Sequence, residues 1–364
     1  MAIGENPFTP TFGEIPTRLA GRSAIIERTA RAFGSNRRRP ELTTIFSGAR
    51  GTGKTTLLTL LAEHAAQSGW ITASVTAMPG MLDDIEVRTR KGASHLVDTS
   101  SKAHVSSVGI PQVIDIEIKH DKAARDNWRS RMEDMLDVLE SHDAGLLITV
   151  DELDPTLDEM VQLAAIYQHF VRENRRISLL MAGLPANVST LLSDKTVSFL
   201  RRAEMVQLGR IDDFEIEDAL RKTIEEGGRS SSATSLENAV KAIDGFPFMM
   251  QLIGFRAWEE HPNNEDITSD DFEHGILLAR EDMRTRVLEA TYRDLSRADI
   301  EFLEAMLKDE GDSNIADITK RLQWSSSQVA QYRRRLLDAG VIGERRRGVV
   351  GFDMPFFREF LLET

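Results

Sequence analysis

Residues 48–55 read Gly-Ala-Arg-Gly-Thr-Gly-Lys-Thr, a glycine-rich run that closes on a cation and a hydroxyl. Glycine at Gly48, Gly51 and Gly53 lets the main chain wrap tightly, so that amide N–H groups around Ala49, Arg50 and Thr52 can point inward at an anion. Lys54 would reach the outer phosphates of a nucleotide and the Thr55 hydroxyl would join the shell of a Mg²⁺ ion. Thr56 lies in the first turn of the helix that follows, whose positive N-terminal end favours the same anion. A second constellation stands about a hundred residues on, where the apolar run Leu146–Val150 ends in Asp151 and Glu152. A buried strand tipped with two carboxylates suits a metal-holding residue, Asp151, and a residue that orients and polarises an attacking water, Glu152. Together the two segments suit binding and cleavage of a phosphate chain.

These residues need a parallel sheet to hold them. The short apolar run Leu42–Phe46 precedes the loop, a helix from Gly53 to Gln67 carries Leu57, Leu58, Leu60 and Leu61, and a strand at Trp70–Ala77 completes a strand–helix–strand unit. The rhythm breaks over residues 80–120, read as an insertion with a half-exposed strand pattern at Val113–Ile118. It resumes with a helix at about 121–141, a strand at Leu146–Val150, a helix at about 157–173 and strands at Ile177–Ala182 and Glu204–Leu208. Ahead of all this, Pro7, Pro10 and Pro16 impose an extended arm, a helix spans about Ser23–Phe33, and Arg37–Arg39 read as a solvated helix end. From Asp212, which has capping-box spacing to Glu215, the pattern is helical only. The last 70 residues give three helices and a β-hairpin. The fold class is α/β: a nucleotide-binding parallel sheet over residues 1–210, a helical lid over 211–290 and a winged helix over 291–364.

Composition narrows the chemistry. The chain has 364 residues, 41% hydrophobic and 28% charged, with a formal net charge of −13. That balance argues against a protein that coats nucleic acid without specificity. With no cysteine, thiolate metal sites, cysteine nucleophiles and disulfides are excluded. No apolar run is long enough to span a bilayer and no secretory leader is visible, so a cytoplasmic protein without a membrane partner is expected.

On the residues quoted so far, the chain resembles AAA+ ATPases of the origin-recognition and STAND-related type, in which an α/β core is followed by a helical lid and a winged helix. The resemblance implies ATP as the ligand, with Mg²⁺, and covers nearly the whole chain. Leu19-Ala20-Gly21-Arg22 is similar to the turn whose backbone lies near adenine in these proteins. Phe199-Leu200-Arg201-Arg202 resembles the region of their arginine finger, which implies that Arg202, or else Arg201, stabilises phosphate charge on a neighbouring subunit. Gly245-Phe246-Pro247 resembles the Gly-x-Pro motif that places a proline, here Pro247, beside the base. The strand Ile177–Ala182 departs from the family in ending without a polar sensor, Asn187 being the nearest substitute, so slow or assembly-dependent hydrolysis is expected.

In the C-terminal part, Ser325 and Gln328 have capping-box spacing, and Val329, Tyr332, Leu336 and Leu337 form one apolar face of a helix that Gly340 ends. Between Lys320 and Arg347 there are eight basic residues against Asp338 and Glu344, a local excess of six. Gln331, Arg334 and Arg335 on that helix, with Arg345, Arg346 and Arg347 at the hairpin tip, are the candidates for double-stranded DNA contact. Two functions stay open: an ATP-driven switch whose winged helix binds DNA, and a STAND-like regulatory ATPase whose winged helix contacts protein. A small-molecule P-loop kinase fares worse, since it needs no separate winged helix. Self-association through the finger arginines or a protein partner is expected on either of the first two readings.

Overall fold

The computed structural model describes residues 4–11, 14–16, 18–100 and 127–364. Helix α1 (Ser23–Phe33) leads into β1 (Thr43–Ser47), α2 (Lys54–Gln67), β2 (Trp70–Thr76), α3 (Met81–Ser100), α4 (Trp128–Ser141), β3 (Gly145–Asp151), α5 (Asp158–Arg172) and β4 (Ile177–Gly183). Helix α6 (Pro185–Ser193), a 3₁₀ turn at Ser198–Arg202 and β5 (Glu204–Gln207) complete the α/β part. The five strands are parallel, in the order β2-β3-β4-β1-β5. Strand β4 therefore lies between β1, which feeds the glycine loop, and β3, which carries the acidic pair. All parallel strands end at one edge, so the loop after β1 and the carboxylates of β3 share that edge.

Burial explains the strand runs. Strand β4 is buried along its whole length and β3 everywhere but Asp151, as both faces of a parallel sheet are covered by helices. Residues 81–100, inside the stretch read as an insertion, form α3, which packs on β2 and α4 and belongs to the crossover to β3. Its amphipathic period is masked in the sequence by a run of charged residues on the solvent face. The strand pattern at 113–118 lies outside the described residues. Helix α6 was not anticipated: Pro185 at its first turn starts it, though nine residues give the sequence pattern little periodicity.

The stretch read as a lid holds α7 (Asp213–Glu226), α8 (Ala233–Ile243), α9 (Pro247–Glu260) and α10 (Ser269–Met283). Asp212 does cap α7, accepting from the amide of Phe214, but Glu215 does not return the bond as a capping box would. A π-helical turn at Arg284–Leu288 joins α10 to α11 (Glu289–Asp294). Beyond it lie α12 (Arg297–Met306), β6 (Ser313–Asn314), α13 (Ile315–Leu322), α14 (Ser326–Asp338), the antiparallel hairpin β7 (Ile342–Arg346) and β8 (Val349–Phe352), and α15 (Phe357–Glu363). The capping box Ser325–Gln328 opens α14, and Gly340 ends its turn at φ +67°. The terminal α15 was not expected; Phe357 and Phe360 seal it against the same core as α12 and α14.

The N-terminal arm is fastened to the lid. Asn6 donates to the carbonyl of Phe255 and to Glu259, the Thr9 amide donates to Gln251 Oε1 at 2.9 Å, and Phe8 is buried in the lid core. Gly254 in α9 makes room for that ring: a Cβ there would stand 2.4 Å from Phe8. Among the described residues no helix is long and apolar enough to cross a membrane.

Candidate nucleotide site

The loop after β1 takes its shape from its glycines. Gly51 and Gly53 adopt φ of +79° and +83°, where side chains are disfavoured. A Cβ on Gly48 would lie 2.6 Å from the Leu208 carbonyl and 2.7 Å from Thr52 Oγ1, so only glycine fits between the loop and the end of β5. Thr52 closes the turn by donating to the carbonyl of Ala49 at 2.9 Å.

Lys54 is 7% exposed, and its ammonium donates to the carbonyls of Gly48 at 3.0 Å and Ala49 at 2.8 Å. Burial pushes its pKa below that of an ordinary lysine, while Glu152 and Asp151 pull the other way. On the neighbouring turn Thr55 Oγ1 donates to Asp151 Oδ2 at 2.5 Å. The two oxygens come from elements 96 residues apart in sequence and meet because β4 alone separates their strands. Glu152 follows at φ +53°, its amide bonded to Asp151 Oδ1 at 2.9 Å, which turns the chain out of the strand.

A cavity of about 700 Å³ lies over this edge. Lys54, Thr55, Thr56 and Glu152 form its floor, Pro247, Phe248 and Gln251 of the lid one wall, and residues of the N-terminal arm, among them Leu19 and Ala20, the other. Its size is that of a small-molecule site. The Leu19–Arg22 turn is held there by Gly21, at φ +61° against Ile211 and Glu215, and by Arg22, which is buried and donates to the Gly209 carbonyl at 2.8 Å. Pro247 sits at the first position of α9, facing Gly53.

Thr55 and Asp151 fit a divalent cation that takes its remaining ligands from water and phosphate, as Mg²⁺ does. Among the described residues there is no cluster of three or more acidic, histidine or cysteine ligands. Asn187 does not line the cavity; its amide donates to the Leu153 carbonyl at 2.6 Å, bracing the chain just after Glu152. Arg201 and Arg202 are exposed at the entry of β5, and Arg201 Nε donates to the Leu192 carbonyl at 2.8 Å. Since β5 runs parallel to β1, they lie at the opposite end of the sheet from the glycine loop of their own chain.

Most of the C-terminal arginines have acidic partners. Arg333 pairs with Glu344 at 2.9 Å, Arg334 with Asp338 at 3.7 Å, Arg335 with Asp299 at 2.9 Å, and Arg345 with Asp353 at 2.6 Å and Asp312 at 3.4 Å. Three of those carboxylates, Asp299, Asp312 and Asp353, lie outside the window that the charge count covered. Gln331, Arg334, Arg335, Arg345, Arg346 and Arg347 are all exposed, Arg346 and Arg347 without an ion pair among the described residues. Helix α14 also packs on α6 of the α/β part, and its closing turn meets the glycine loop: a Cβ on Gly340 would be 3.2 Å from Ala49 Cα. The sequence held no signal for that contact, because both surfaces consist of small or polar residues.

Residues 37–192 match the family model described as an AAA domain, and residues 285–361 match a domain of unknown function, DUF8462. No curated protein matches the chain. Among solved structures, the Walker-type ATPase of Pyrococcus abyssi is similar with a TM-score of 0.69 at 15% identity, over 97% of this chain and 99% of that one. The ORC2 protein of Aeropyrum pernix, solved as ADPNP–ADP complexes, is similar with a TM-score of 0.62 at 15% identity, over 97% of this chain and 95% of that one. Cdc6p of Pyrobaculum aerophilum follows with 0.50 at 14%, over 97% of each. Residues 37–192 thus carry an AAA domain, and the chain as a whole shares the fold of these archaeal ATPase structures.

Proposed function

We propose that the chain binds ATP with Mg²⁺ in the cavity between sheet edge, lid and N-terminal arm, hydrolyses it, and works as a nucleotide-controlled switch. The observation that carries this reading is the meeting of Thr55 Oγ1 and Asp151 Oδ2 at 2.5 Å beside a buried Lys54. On this reading Lys54 leaves the Gly48 and Ala49 carbonyls for the outer phosphates, and the loop amides donate to phosphate oxygens. Thr55 and Asp151 would hold Mg²⁺, which when bound neutralises charge on the phosphate chain. Glu152 polarises the attacking water, and Pro247 with the Leu19–Ala20 turn frames the base. Arg202, with Arg201 beside it, serves the nucleotide of a neighbouring copy. Residues 1–210, 211–290 and 291–364 act as core, lid and winged helix.

Calorimetry tests the reading directly. Wild type binds ATP and ADP; Lys54→Ala binds neither measurably; Glu152→Gln keeps ATP affinity and loses hydrolysis at least about 100-fold. Wild type that ignores adenine nucleotides sinks the proposal.

For the winged helix, the contact of Gly340 with Ala49 and the packing of α14 on α6 favour a role against the protein's own ATPase part. DNA contact through Gln331, Arg334, Arg335, Arg345, Arg346 and Arg347 is the second reading, supported by their exposure. Salt separates the two: DNA binding that falls steeply with ionic strength and is abolished in Arg346→Ala/Arg347→Ala supports DNA, and no binding at low salt removes it.

A further inference from the structure

Helices α12 and α14 enclose a small cavity of about 100 Å³ whose lining includes Asp299, Arg335, Thr291 and, from the glycine loop, Arg50. Asp299 is 1% exposed. Its Oδ2 accepts from the amide and hydroxyl of Ser296 and from Arg335, whereas its Oδ1 is buried without a hydrogen-bond partner. Thr291 Oγ1 is likewise buried and unpartnered. A buried carboxylate oxygen left open is costly, and such groups are normally satisfied. The cationic donor of this lining that has no hydrogen bond or ion pair among the described residues is Arg50, which is exposed and lines both this cavity and the nucleotide cavity. Its backbone lies beside the end of α14, where a Cβ on Gly340 would stand 3.5 Å from Arg50 N.

We propose that Arg50 is a two-position latch: it pairs with Asp299 when the phosphate site is empty and turns to the phosphates when ATP binds, so that nucleotide releases the α12–α14 unit from the glycine loop. This rests on the nucleotide-binding reading. One guanidinium cannot serve two anions in separate cavities, so phosphate and Asp299 compete for it, and ligand and docking are linked reciprocally. Neutralising Asp299 removes the competitor and tightens ATP binding.

The test is a mutant cycle on ATP affinity, using Arg50→Ala, Asp299→Asn and both together. Asp299→Asn tightens ATP about fivefold when Arg50 is present and changes nothing in the Arg50→Ala background. Ser296→Ala, which breaks the same helix cap but keeps the carboxylate, leaves affinity unchanged. Equal effects of Asp299→Asn in both backgrounds, or an equal effect of Ser296→Ala, overturn the latch. A second readout needs no nucleotide. The chain has no cysteine, so spin labels at Lys195→Cys and Lys308→Cys, both exposed, report only the distance between the α/β part and the C-terminal unit. The apo distance broadens in Arg50→Ala and in Asp299→Asn; an unchanged distribution in both refutes the latch. Wild type that binds no nucleotide defeats the site reading instead, and the label distances still decide whether Arg50 and Asp299 hold the C-terminal unit.

Discussion

Lys54 lies against two carbonyls in a buried loop, and burial is the larger influence on its proton. The sign follows from which state holds the proton more tightly. The folded pKa lies below the unfolded one, so the unfolded chain binds more protons in that window and this residue's contribution to stability rises with pH there. Phosphates favour the charged ammonium, so nucleotide binding must recapture the proton once the free protein has lost it. ATP affinity is therefore expected to fall with rising pH from a point below ordinary lysine titration, and calorimetry across that range in two buffers of different ionisation enthalpy checks it. Residues 37–39 teach a related lesson. The sequence offers three arginines as a solvated end, yet Arg38 donates to Tyr167 Oη at 2.6 Å and to the Ile177 carbonyl at 3.1 Å. Its partners come from elements over a hundred residues away, which no local pattern encodes.

At the scale of elements, two close approaches hold the cavity walls. Phe8 pins the N-terminal arm to α9 opposite Gly254. Phe8→Ala is expected to cost about 3–5 kcal/mol of stability and, by freeing the arm that lines the base side, to weaken nucleotide binding; chemical denaturation and calorimetry read the two effects separately. Gly340 does the same work between α14 and the glycine loop. Gly340→Ala places a side chain at positive φ against Ala49 and is expected to cost about 1–2 kcal/mol, with the label distance between Lys195→Cys and Lys308→Cys increasing. The elements themselves were largely legible, because β3 and β4 are continuous apolar runs and α14 has a clean capping box and stripe. Helices α3 and α6 were not, one carrying charge along its solvent face and the other being short.

At the scale of the molecule, the two ends of the sheet carry different groups. The glycine loop and acidic pair share the carboxyl edge, and Arg201 and Arg202 stand at the entry of β5, at the sheet's opposite edge. If a neighbouring copy completes the site, Arg202→Ala keeps ATP affinity and loses hydrolysis, and mixing it with Lys54→Ala restores part of the turnover. Light scattering of Glu152→Gln with ATP and with ADP shows whether assembly follows the nucleotide. A mixture that stays inactive speaks against a shared site.

Local chemistry was enough to mark the glycine loop, the carboxylate pair, the alternation of strands and helices and the capped C-terminal helix, because each depends on residues near one another in the chain. Tertiary structure alone decided which charges are free. Arg335 is matched by Asp299, Arg345 by Asp312 and Asp353, and Gly340 rests on Ala49. Charge pairing and close packing are set by distance in space, and a strand order that puts β4 between β1 and β3 brings distant segments together without leaving a trace in either one.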